Sequence, residues 1–150
     1  IIGGNPHYFK KLIQAYREIG RDAGHADKDL KVGAHSWGWI AEDGEQAVKD
    51  YFHPTKQVVD AISKDRPHWQ ELTYKQYLEQ VGPNGAMFVG NPDQVAEKLI
   101  RMIEDLDLNR FMLHLPLGSM PHDQVLRAIE LFGTQVAPKI RAYFAMKEEL

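Results

Sequence analysis

The residues of this chain best suited to chemistry fall in three short stretches. The first is Gly3-Gly4, where two missing side chains let backbone approach a planar ring or a phosphate, or simply make a turn. The second is His35-Ser36-Trp37, inside the run LKVGAHSWGWIA at 30–41. A histidine there could hydrogen-bond a ligand or shuttle a proton near neutral pH. The competing reading is a buried imidazole satisfied by a neighbour. The third stretch is Gly118-Ser119, which follows the run RFMLHL at 110–115. Trp37, Trp39 and Trp69 are the indoles able to stack on an aromatic ligand, although aromatic side chains serve core packing more often.

Other constellations fail on inspection. Seven histidines invite a metal reading, yet they are scattered, with no HExxH and no tight His/Asp pair at ligand spacing. There is no GxSxG elbow, and no GxGxxG or Walker loop after a strand. Glu104, Asp105 and Asp107 read as a solvated helix end, and His114, on one strand face with Met112 and Pro116, as core or lining. Zero cysteines exclude a disulfide scaffold, an iron–sulfur cluster and a cysteine nucleophile, and fit a reducing, cytoplasmic setting. Eighteen basic against 21 acidic residues leave a charge of −3, without the footprint of a nucleic-acid or anionic-membrane binder. No apolar run approaches the roughly 20 residues of a membrane span.

The elements that must position these residues alternate between strand and helix. Ile1-Ile2 is a β-branched stub, and Asn5-Pro6 is a helix start. Phe9, Leu12, Ile13, Tyr16, Ile19 and Ala23 then recur at helical spacing up to a stop at Gly24. Residues 30–41 read as a strand, with Val32, Ala34, Ser36, Gly38 and Ile40 on one face and Gly33, His35, Trp37 and Trp39 on the other. Asp43-Gly44 turns into a helix to about Ile62, which Pro54 is expected to kink or divide. Residues 63–89 read as an irregular excursion with one short helix between Leu72 and Val81. Asn91-Pro92 starts a helix through Leu106, residues 110–115 form a strand, and Pro121 starts a last helix through Val136. This order implies a parallel sheet with right-handed crossovers. The chain, 150 residues long, falls short of the roughly 250 of a closed (β/α)₈ barrel. It opens without an initiator methionine, as if cut from a longer protein.

Three stretches carry a family resemblance: IIGGNPHYFKKLIQAYREIGRDAGH, AMFVGNPDQVAEKLIR and RFMLHLPLGSMPHDQVLRAIELFGTQVAPKIR. Together they resemble the C-terminal portion of the luciferase-like, flavin-dependent monooxygenases. The most specific part is Gly118-Ser119-Met120-Pro121-His122 followed by Glu130-Leu131-Phe132-Gly133 and Val136-Ala137-Pro138. The resemblance implies that residues 1–150 are the C-terminal part of a TIM barrel, supplying about its last three strands. It implies reduced FMN as cofactor, supplied by a flavin reductase, with F420 the alternative, and O₂-dependent oxidation of an organic substrate. An F420-dependent oxidoreductase and a non-catalytic assembly subunit are the other readings.

His35 is the catalytic candidate that the resemblance supplies, and Gly3, Gly4, Ser36, Trp37, Gly118 and Ser119 are the cofactor-binding candidates. The pattern here is Ser-Trp-Gly where relatives commonly have Ser-His-Gly, so the histidine sits about 7 Å further back on the same strand face. The family's phosphate-binding stretch would precede Ile1, so the chain alone is expected to be inactive. Three parallel strands also leave two open edges, and an inner face carrying His35, Trp37 and alternate residues of the 110–115 strand without its opposite wall. The chain is therefore expected to associate, with the missing N-terminal half of the barrel or with a second copy of itself.

Overall fold

The computed structural model describes residues 6–66 and 70–148. Gly3, Gly4, the Ile1-Ile2 stub, Asn5 and Trp69 lie outside the described residues. Helix α1 (Pro6–Asp22) turns Ile13 into the core with Phe9 packed against it, while Tyr8, Leu12, Tyr16 and Ile19 stay exposed. Its apolar arc is wider than the surface this chain offers to cover it. After a 3₁₀ turn at Asp27–Asp29 the chain enters β1 (Gly33–Ile40), shorter than the expected 30–41. Its entry is tied to Asn109: the Val32 amide donates to Asn109 Oδ1 at 2.8 Å and the Asn109 amide to the Val32 carbonyl at 2.9 Å.

Asp43 caps α2 (Gly44–Ser63) by accepting from the amides of Glu45 and Gln46 at 2.9 and 3.1 Å. The helix runs unbroken through the buried Pro54 rather than dividing there. Thr55 Oγ1 donates to the Tyr51 carbonyl at 2.6 Å beside it, and helix packing on both sides outweighs the one missing N–H. The stretch 63–89 is more ordered than expected. Asp60 accepts from the Leu72 amide at 2.9 Å, which returns the chain to α2, and a Thr73–Gln76 capping box starts α3 (Tyr74–Val81). A three-residue strand, β2 (Phe88–Gly90), then forms. Asn91 and Gln94 build a second capping box on α4 (Pro92–Leu106), with Pro92 in its first turn.

Strand β3 (Arg110–His114) leads to α5 (His122–Leu131), a π turn at Phe132–Val136, and α6 (Ala137–Glu148). The wider π turn suits the Pro138 that follows, which has no amide for a regular helical bond, and Thr134 Oγ1 satisfies the Glu130 carbonyl at 2.7 Å.

All three strands are parallel, in the order β2-β1-β3. β1 pairs with β3 from Gly33↔Arg110 to Trp37↔His114, and with β2 only from Gly38↔Phe88 to Ile40↔Gly90. The β1–β3 pair is thus the main wall, and β2 a short addition beside the last residues of β1. One face of the wall is closed. Ala34 and Ser36 are buried there, Phe111 and Leu113 are half-buried, and Phe88 packs edge-on against Phe111 with ring centroids 5.0 Å apart. Gly38 permits this closure, since a Cβ would lie 2.4 Å from Leu113 Cδ1 and 2.5 Å from the Phe88 carbonyl oxygen.

Lys98 of α4 is buried without a carboxylate partner. Its ammonium donates to the carbonyls of Val81, Gly82 and Met87 at 3.0, 2.7 and 2.6 Å and lies 5.1 Å from the Phe88 ring centroid. All three of its hydrogens are used. Burial, with a smaller push from Arg101, lowers its pKa from 10.5 to about 8.

Candidate functional site

Parallel registry places His35 beside Met112 and Trp37 beside His114 on the other face of the wall. That face is open: Met112 is 52% exposed, Arg110 and His114 are exposed, and His35 and Trp37 are half-buried. The imidazoles of His35 and His114 are 5.6 Å apart between centroids, tilted by 40°. One sheet face therefore presents an indole, two imidazoles and a thioether. These can stack on a planar heteroaromatic ring and hydrogen-bond its edge. Among the described residues no group of three or more His, Cys, Asp or Glu could hold a metal ion.

The loops that leave the strand C-terminal ends form a rim, the side on which parallel barrels keep their binding residues. Two bonds cross it in opposite senses. Arg127 of α5 pairs with Glu42 in the loop after β1, donating from Nε at 2.6 Å, and also with Glu130 at 2.6 Å. The hydrogen bond from Arg127 holds the Glu42 carboxyl below its ordinary 4.5. In return Ser119, in the loop after β3, donates to Gln57 Oε1 of α2 at 3.0 Å. Gly118 beside it has φ +51°, with the Pro54 carbonyl and Gln57 Oε1 each 3.2 Å from where a Cβ would sit. Only glycine enters that left-handed turn against α2 without strain.

The sequence candidates therefore separate. His35 and Trp37 share the open face, and Gly118 and Ser119 share the rim. Ser36 corrects the expectation that it lies beside the cofactor: it points to the closed face, is buried, and donates to the Ala86 carbonyl. Strand alternation forces this, because neighbours in sequence occupy opposite faces. Trp39 is a packing residue, 2% exposed and stacked on Tyr51 with centroids 5.8 Å apart and planes within 8°. Burial pushes the Tyr51 hydroxyl well above its ordinary value. Sequence reasoning passed over His114 as a site residue and missed Gln57 and His53 altogether. His114 was findable once RFMLHL is paired in register with β1, whereas nothing local marks Gln57.

No protein-family model and no curated protein matches the chain. Solved structures do. The monooxygenase RslO1 of Streptomyces bottropensis superposes with a TM-score of 0.74 at 17% identity, over 92% of this chain and 40% of that one. The chain has the fold of the C-terminal portion of a luciferase-like TIM barrel. The oxygenating constituent of 3,6-diketocamphane monooxygenase from Pseudomonas putida, solved with FMN, matches this luciferase-like portion at TM-score 0.60 and 20% identity, covering 93% of this chain and 42% of that one. The coenzyme F420-dependent tetrahydromethanopterin reductase of Methanopyrus kandleri matches it at TM-score 0.61 and 19% identity, covering 92% and 44%. The chain thus spans about two fifths of the length of these proteins. No helix among the described residues is long and apolar enough to cross a membrane.

Proposed function

We propose that this chain forms one wall of the flavin pocket of a luciferase-like monooxygenase, in the cytoplasm, and acts only when the rest of the barrel completes that pocket. The observation that carries this reading is the open sheet face, which combines Trp37, His35, His114 and Met112 on adjacent strands of a wall whose other side is closed. The side chains fit a planar ring: the Trp37 indole offers a flat contact, and the two imidazoles offer hydrogen bonds to heteroatoms on its edge. When bound, reduced FMN supplies the electrons with which O₂ oxidises an organic substrate. The protein's part is to orient the ring and exclude water, and His35 is the residue placed to hold or pass a proton. The FMN phosphate is held outside this chain, and a flavin reductase delivers the reduced cofactor. F420 is the second reading, supported by the superposition on an F420-dependent reductase at TM-score 0.61, level with the 0.60 of the monooxygenase solved with FMN.

The partner is the N-terminal part of such a barrel. Two surfaces await it: the open face, with its indole, imidazoles and thioether, and the apolar stripe of Tyr8, Leu12, Tyr16 and Ile19 along α1. Flavin fluorescence during titration with FMN tests the reading. The chain alone binds no FMN at micromolar concentration, whereas the completed barrel does, and Trp37→Leu in that barrel weakens binding. Micromolar binding by the chain alone, or a completed barrel indifferent to Trp37→Leu, overturns it.

A further inference from the structure

Gln57 joins two groups that the flavin reading does not use. Ser119 Oγ donates to its Oε1 at 3.0 Å, and its Nε2 lies 3.3 Å from His53 Nε2, one helical turn earlier on α2. An amide nitrogen can only donate and an amide oxygen can only accept. With Oε1 turned to the Ser119 hydroxyl, Gln57 Nε2 faces His53 Nε2, a pairing that needs the imidazole hydrogen on Nδ1. The neighbouring Gly118 brings its left-handed backbone close against α2, where a Cβ would lie 3.2 Å from the Pro54 carbonyl.

We propose that Gln57 is a positioning residue of the barrel rim, fixing the Gly118-Ser119 turn on α2, and that protonation of His53 sets the direction of the Ser119 hydroxyl. A protonated imidazole donates from both nitrogens. Gln57 then turns its oxygen to His53 and its amide nitrogen to Ser119, which becomes an acceptor there. The hydroxyl hydrogen is released toward the mouth, where it meets a ligand's carbonyl or anionic oxygen. No atom is gained or lost except the proton on His53. Only the identity of that ligand rests on the flavin reading. Lys49 and Asp50 lie on the α2 turn before His53 and Lys56 on the turn after it, whereas residues 115–121 carry no charge. The charged groups elsewhere on the rim, Glu42, Arg127 and Glu130, are paired with one another.

Nitrogen-15 spectra of the imidazoles and amide hydrogen exchange, recorded on the protein without flavin, test the relay. In the wild type His53 carries its hydrogen on Nδ1 above its titration. Gln57→Leu moves the hydrogen to Nε2 and speeds exchange at Gly118 and Ser119 by about ten-fold. Gln57→Glu, which offers no donor, likewise moves the hydrogen to Nε2. The inference is overturned if wild-type His53 carries its hydrogen on Nε2, or if Gln57→Leu changes neither the tautomer nor the exchange. Because no flavin is present, failure of the flavin reading leaves these spectra unchanged. Gln57 is exposed, so melting curves matching the wild type confirm that the variants are folded.

Discussion

The two faces of the β1–β3 wall are built from alternate residues of the same strands, yet they serve different ends. On the closed face Ala34, Ser36 and Gly38 are small, which lets Phe88, Phe111 and Leu113 converge over them. Its buried polar groups are tied down, the Ser36 hydroxyl on the Ala86 carbonyl and Lys98 on three carbonyls. The other face carries larger and more reactive side chains; its far end is closed by Trp39 on Tyr51, and the part around His35, Met112 and His114 is open. Residues that fold this chain and residues that await a ligand or a partner are thus one position apart, and a substitution should reveal which set it has entered.

The largest expected difference lies between Phe88→Ala and Met112→Ala. Removing the ring of Phe88, 1% exposed, should cost about 4 kcal/mol, whereas the truncation of Met112, 52% exposed, should stay within about 0.5 kcal/mol. Urea unfolding of the two variants measures both, and equal losses would erase the distinction between the faces. Lys98→Met comes next. It removes the ammonium from three carbonyls, of which Gly82 keeps the Gly85 amide as a donor, and should cost about 2 kcal/mol, with faster amide exchange between Gly82 and Met87. Wild-type stability in that variant would mean that the ammonium is dispensable to the loop. The smallest pair is Ser36→Ala against His114→Ala. The first should lose about 1 kcal/mol, the worth of its bond to Ala86. The second should leave unfolding unchanged and weaken FMN binding once the barrel is complete.

Much of this architecture was legible in the residues. Helices α2 and α4 announce themselves through Asp43-Gly44 and Asn91-Pro92, because a capping side chain and an early proline act locally. Alternation along 33–40 sorts His35 and Trp37 from Ala34 and Ser36 without reference to any other part of the chain. Ser36 entered the cofactor set through family likeness alone, against that alternation. β2 escaped notice because three residues ending in glycine are too few to show a period. The contacts of Gln57 with Ser119, 62 positions apart, are set by how α2 and the β3 loop pack, which no local pattern records.

The π turn at Phe132–Val136 has a consequence for how the chain tolerates changes in length. One residue more than a regular helix needs is absorbed there, which sets the phase between α5 and α6. Deleting Gly133, where an added Cβ would meet nothing within 4 Å, would let the segment rewind as ordinary helix while α6 keeps its phase on α4. Deleting Arg141 from the regular α6 would instead rotate the rest of that helix by about 100°, so that Tyr143 loses its 2.9 Å bond to Glu104 and Lys147 its pair with the same carboxylate. A single-residue deletion should therefore be tolerated in the π turn and should loosen α6 from α4 when it falls two turns later.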